Sequence, residues 1–180
     1  MKRIHIIGRK NSGKTTLICQ LVKGLTEQGV RVGTIKHTHH HHELDTPGKD
    51  SHKHRIAGSA AVGILSPAMN AVFWPAEVDR SANEVRSAKE ARYMQFEGLM
   101  ADCDLIIVEG DSSTTAVKIE VYRGNNENEP FAATDRSILA VVSDEPLEID
   151  TPVWRRSDVA SLLLHLRELL NLPSSTHTKT

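Results

Sequence analysis

Ile4-His5-Ile6-Ile7-Gly8-Arg9-Lys10-Asn11-Ser12-Gly13-Lys14-Thr15-Thr16-Leu17-Ile18 decides the fold. An apolar run stops at Gly8, residues 8 to 15 fit the pattern G-x-x-x-x-G-K-[ST], and the apolar side chains that follow are spaced as on a helix. Strand, glycine-bounded loop and helix in this order make a phosphate-binding loop, whose backbone N–H groups point inward around phosphate oxygens. Gly8 and Gly13 keep side chains out of that approach. Lys14 brings a compact cation to the β and γ phosphates, a charge pair worth roughly 4 kcal/mol at an effective dielectric near 20, before desolvation is counted. The Thr15 hydroxyl suits Mg2+, and Asn11, Ser12 and Thr16 complete the candidate binding loop.

Outward from this loop, 180 residues suffice for one domain, read as residues 1–172 with a flexible polar tail at 173–180. An aromatic content of 4% leaves few platforms for stacking bases, and a formal net charge of -1 gives no general attraction to polyanions. Neither a nucleic acid nor a membrane is therefore expected as a partner. Met1-Lys2-Arg3 runs straight into a strand and no apolar stretch approaches about 20 residues, so the expected compartment is the cytoplasm. Cys19 and Cys103 lie in apolar patterns and read as buried free thiols.

The rest alternates in the α/β manner. Gln28-Gly29 ends the first helix, Val30 to Ile35 reads as a strand, and this strand, helix, strand unit predicts a parallel pair. Residues 37 to 50 form a loop, and Ser51 caps a short helix through Ala57. Residues 60–65 and 70–74 read as a β-hairpin. A helix over 82–100 is expected to cover one face of the sheet. Leu105-Ile106-Ile107-Val108 reads as a buried central strand, Val117 to Tyr122 as a half-exposed one, and residues 138–142 as another buried one. Residues 123–130 form a solvated loop, and a helix over 157–170 is capped by Ser157 or Asp158. The fold class is a mostly parallel sheet flanked by helices, of the P-loop nucleotide-binding type, with a hairpin-like addition. Such sheets bind ligands at the carboxyl ends of their strands, where the loop, Glu109 and Asp144 all fall.

Other groups carry candidate chemistry. Asp45-Thr46-Pro47-Gly48 matches the Asp-x-x-Gly pattern that senses a γ-phosphate, and either Asp45 or the nearby Asp50 could face the metal. Glu109 emerges from an apolar strand where a Walker B acid stands, suited to the hydration shell of Mg2+. Asp45 and Glu109 are the candidates for orienting water in hydrolysis. Asp144 could accept the N1–H and N2–H2 of guanine, although no Asn-Lys-x-Asp motif is present. His37, His39, His40, His41, His42, His52 and His54 put seven of ten histidines within eighteen residues. They fit a transition-metal site, a phosphate or partner contact, or a solvated loop.

In chain order, Gly8-x-x-x-Ser12-Gly13-Lys14-Thr15-Thr16, Gly33-x-Ile35-Lys36-His37-x-His39-His40, Asp45-x-Pro47-Gly48-Lys49-Asp50-Ser51, Arg55-x-Ala57-Gly58, Leu105 to Gly110, Lys118-Ile119 and Ser143-Asp144-x-Pro146-Leu147 resemble the MobB family of molybdopterin-guanine dinucleotide biosynthesis adaptor proteins. The resemblance spans about residues 3 to 170. It implies a GTP-binding protein with weak hydrolysis and a homodimer whose sheet continues across two subunits. It also implies assistance to a MobA-type guanylyltransferase that joins GMP to molybdopterin, with molybdopterin itself open as a further partner. By position it lays Gly8 to Thr16 on the phosphates and sets Lys36, His37, Asp45, Asp50 and Glu109 around nucleotide and magnesium. Where the family commonly has an aromatic residue and then lysine after Glu-Gly, this chain has Asp111-Ser112. Two rival functions share the loop. A small-molecule kinase would need an arginine lid, for which Arg80, Arg86 and Arg92 are available. A metallochaperone GTPase would use the histidine tract as its cargo site.

Overall fold

Strand β1 (Lys2–Ile7) runs through the middle of a six-stranded sheet, and its alternating side chains serve both faces. The computed structural model describes residues 2–38, 40, 43–75, 85–124 and 128–172. They fall into two compact units, one of Met1–Thr38 with Met94–Thr180 and one of His39–Tyr93.

In the first unit, α1 (Lys14–Glu27) leads to β2 (Val32–Lys36) after Gly29 turns the chain with φ 79°. The other strands are β5 (Leu105–Glu109), β6 (Val117–Val121), β7 (Ile138–Ser143) and β8 (Val153–Arg155), numbered after two strands of the second unit. The order is β2-β5-β1-β6-β7-β8, and every neighbouring pair is parallel. The parallel partner expected for β1 is thus not β2, because the more apolar β5 lies between them. All six strands end at one edge, as parallel strands must, and that edge carries the loops of interest.

Ile4, Ile6, Leu105, Ile107, Ile119, Val121, Ala140 and Val142 meet Leu17, Leu21 and Leu25 of α1 on one face. They also meet Leu162, Leu163 and Leu166 of α4 (Val159–Leu170) there. Asp158 caps α4, its carboxylate accepting from Ser161 N at 3.0 Å. On the other face Ile7, Ile138 and Val141 pack with Ala132 of a 3-10 turn, Phe131–Ala133. Strand β6 departs from the half-exposed strand expected: Lys118 and Glu120 are only 3% and 1% exposed. Burial is tolerated because each has partners. Glu120 accepts from Phe131 N and Ala132 N, both at 2.9 Å, while Lys118 donates to Asp135 at 2.7 Å and to Ser112 O at 3.2 Å.

The second unit holds α2 (Asp50–Ile56) and the antiparallel hairpin of β3 (Val62–Leu65) with β4 (Asn70–Phe73). Lys49, not Ser51, occupies the cap position of α2, since the Ser51 hydroxyl is turned onto Asp45 at 2.9 Å. Helix α3 (Val85–Glu97) spans the boundary between the units. Within α3 Tyr93 is buried and Met94 exposed, and Leu99, beyond the end of the helix, is exposed as well. Cys19 corrects the sequence reading too, lying exposed on α1, with Cys103 half-buried. No described helix is long and apolar enough to cross a membrane.

Candidate functional site

The loop between β1 and α1 has the backbone its sequence demands. Gly8 (φ 142°) passes so close to the Val121 carbonyl that a Cβ there would collide with it, and Gly13 has φ 92°. Asn11 takes the left-handed conformation at φ 64°, which asparagine tolerates better than most residues. Ser12 N donates to Arg9 O at 3.3 Å, and the buried Ser12 hydroxyl has no hydrogen-bond partner among the described residues. Arg9 faces away along the loop's flank, stacking its guanidinium 4.8 Å from the Phe131 ring.

Lys14 folds back over this loop, donating to Gly8 O at 2.9 Å and Arg9 O at 2.6 Å. Burial pulls its ammonium below the usual lysine range, the Glu109 carboxylate opposes that shift, and the Lys36 charge adds to it. Thr15 and Thr16 follow on the exposed start of α1.

Register places Glu109 beside the loop, since β5 aligns it with Ile6 of β1 on one side and with Lys36 of β2 on the other. Gly110 N bonds Ile6 O at 2.9 Å and His37 N bonds Glu109 O at 3.0 Å, fixing the strand end. Gly110 (φ 95°) is needed where the chain passes the His37 carbonyl, 3.3 Å from the position of a Cβ. One oxygen of Glu109 accepts from the Thr15 hydroxyl at 2.8 Å and lies 3.5 Å from Lys36 Nζ. A hydroxyl and a carboxylate this close are hard oxygen donors of the kind Mg2+ takes alongside phosphate oxygens. Just beyond, Asp111 (φ 59°) is buried and accepts from the Ser113 hydroxyl at 2.7 Å, so a packed acid stands where the family commonly has an aromatic residue.

Asp144 lies past the end of β7 on the opposite flank. Its Oδ1 accepts from Ser157 N at 2.7 Å, and that bond holds its carboxyl below the usual range. Sequence reasoning read Ser157 only as a candidate helix cap and Arg123 only as the start of a solvated loop, and so missed their place on this flank. Their only signal was a polar residue two positions beyond a strand.

Asp45 and Asp50 belong to the second unit and are described within it. Asp45 is 6% exposed, and its Oδ1 accepts from Thr46 N at 2.8 Å and from the Ser51 hydroxyl. Its buried Oδ2 has no hydrogen-bond partner among the described residues, which fits a cation ligand. Asp50 is exposed beside Lys53, 3.2 Å away. Nearby, Glu43 pairs with Arg55 at 2.5 Å, and the His52 ring lies 3.7 Å from the same carboxylate. His39, His41, His42 and Arg80 lie outside the described residues, and His40 is exposed. No cluster of three metal-ligating side chains occurs among the described residues.

Set against known proteins, residues 3–144 match the family model described as molybdopterin guanine dinucleotide synthesis protein B. The molybdopterin-guanine dinucleotide biosynthesis adapter protein of Escherichia coli is 34% identical over 154 residues, covering 84% of this chain and 83% of that protein. Its Haemophilus influenzae namesake is 34% identical over 151 residues, covering 82% and 77%. A crystal structure titled molybdopterin-guanine biosynthesis protein B is similar at a TM-score of 0.66 and 29% identity, over 94% of this chain and 99% of that one. A MobB homolog from Bacillus stearothermophilus shares the fold at a TM-score of 0.66 and 23% identity, over 95% and 99%.

Proposed function

This chain belongs to the MobB family of molybdopterin guanine dinucleotide synthesis proteins, and from that premise we propose that it binds GTP with Mg2+ along the carboxyl edge of its parallel sheet. Its role lies in the biosynthesis of molybdopterin guanine dinucleotide, the process for which its relatives are named. There it acts as an accessory to a guanylyltransferase of the MobA type that handles molybdopterin, with slow hydrolysis of its own.

The observation that carries the reading is the convergence of Lys14, Thr15, Lys36 and Glu109 on one phosphate loop. Backbone N–H groups of residues 8 to 16 cradle the phosphates, and Lys14 exchanges its two carbonyl partners for β and γ oxygens. Thr15 and Glu109 hold Mg2+, while within the second unit Asp45, with its buried Oδ2 unpartnered among the described residues, and Asp50 are the acidic candidates. The bound ion supplies charge neutralisation at the phosphates. Glu109 orients the water, while Lys36 and the backbone of His37 brace Glu109. Asp144 reads guanine, because its two carboxylate oxygens have about four acceptor sites and Ser157 fills two of them, through its N–H and its hydroxyl. The protein works as a homodimer, supported by the hairpin β3–β4, which leaves Leu65 87% exposed with Met69 and Val72 also exposed.

The test is calorimetric titration of GTP with Mg2+ into wild type and Lys14→Ala. Wild type is expected to release heat and the variant none, with both equally folded by circular dichroism. Undiminished affinity in Lys14→Ala, or no heat in wild type, overturns the reading.

A further inference from the structure

The end of β6 brings one more cation onto the phosphate loop. Val121 abuts Gly8, and two residues on Arg123 reaches Gly13. Its Nη2, Cζ and Nε lie 3.2, 3.4 and 3.5 Å from the point where a Cβ on Gly13 would stand. Nearly equal distances to three atoms of one planar group mean that the face of the guanidinium, not its edge, covers Gly13. Gly124, the next residue, is tied down, since its N donates to Glu145 Oε1 at 2.6 Å and a Cβ there would run into that carboxylate. Arg156, after β8, senses the same charge: burial first and Arg123 second hold its guanidinium below the usual range, while Asp144 opposes.

The two flanks of the loop differ in chemistry. Thr15, Glu109 and Lys36 stand toward β5 and β2 with groups suited to a metal and a terminal phosphate. Arg123, Asp144 and Arg156 stand toward β6, β7 and β8. A nucleotide laid along this edge has its γ-phosphate at Glu109 and its nucleoside toward Asp144, so the phosphate next to the ribose passes the Arg123 side of Gly13. We propose that Arg123 binds the α-phosphate of the nucleotide, as the cation of the nucleoside flank where Lys14 serves the terminal one. The assignment rests on the nucleotide reading above and adds a residue that reading does not use. A guanidinium pairs with phosphate by charge-assisted hydrogen bonds and retains its charge at any working pH.

The test titrates GTP and GDP, each with Mg2+, into full-length wild type, Arg123→Ala and Arg123→Lys, with thermal unfolding of each protein measured alongside. Both ligands carry the α-phosphate, so Arg123→Ala is expected to weaken both by the same factor, about tenfold, at an unchanged melting temperature. Arg123→Lys should recover part of the loss through its charge. Unchanged affinities, a loss confined to GTP, or a loss that follows a lowered melting temperature and is not relieved by lysine would each overturn the assignment, the last showing a prop for Gly13 only. Wild type that binds neither ligand defeats the nucleotide reading itself, an outcome seen before any variant is compared.

Discussion

At the scale of single residues, Lys14 donates to Gly8 O and Arg9 O, so the proposed phosphate capture is an exchange of partners and not a simple addition. In the proposed reading Glu109 is a magnesium ligand, so Glu109→Gln is expected to lower the Mg2+ enhancement of GTP affinity roughly tenfold. Titration of Mg2+ at fixed GTP reads this directly, and an undiminished enhancement removes Glu109 from the metal. Asp135 bears on stability. The Lys118 hydrogen bond, with Ser137 assisting, holds its carboxyl at about 2 against an ordinary 3.8. A depressed folded-state value stabilises the protein above the unfolded one, so this contribution is complete above about pH 4 and disappears as pH falls toward 2. Asp144, Asp158 and Glu43 share the acid limb, their carboxyls being lowered as well. The Asp135 part is therefore the difference between wild type and Asp135→Asn in urea unfolding over that range, and the variant should lose less stability on acidification. Gly8, Gly13, Lys14 and Thr15 were legible in the sequence because a phosphate loop forces fixed residue types at fixed spacing. Lys118 and Glu120 were not, because a buried charge looks like an exposed one until its partners, 17 and 11 residues away, are in place.

At the scale of elements, α1 and α4 pack side by side on one face of the sheet, and Gly24 marks their close approach to Leu163. Gly24→Leu should overfill that contact and cost about 1–3 kcal/mol, whereas Leu166→Ala opens a cavity and should cost about 2–5 kcal/mol. Denaturant unfolding measures both. A gain of stability in Gly24→Leu would show slack between the helices. Long, strongly patterned elements such as α1, β5 and α4 could be read from the chain. Strand β8 could not, since three residues after Pro152 give no periodicity to recognise. Its loss from the reading also hid the bond that Ser157 N donates to Asp144. In the helix expected over 82–100, Met94 and Leu99 fall on an apolar stripe yet are exposed, and α3 ends before Leu99.

At the scale of the molecule, the strand order is what a linear reading could not supply, because β1 pairs with strands that begin about a hundred residues later. The directions of the strands were inferable from the alternation of strands and helices, and so was the edge that holds the site. In the second unit the hairpin's apolar exposure predicts association: wild type should sediment as a dimer, and the pair Leu65→Asp with Val72→Asp as a monomer. A doubly substituted protein that remains dimeric places the interface elsewhere. The insertion of β5 between β1 and β2 also constrains how the protein is made. Until Leu105–Glu109 has left the ribosome, neither β1 nor β2 has a neighbour to bond, so the nascent chain carries its apolar amino-terminal segments unsheltered through more than half of its translation.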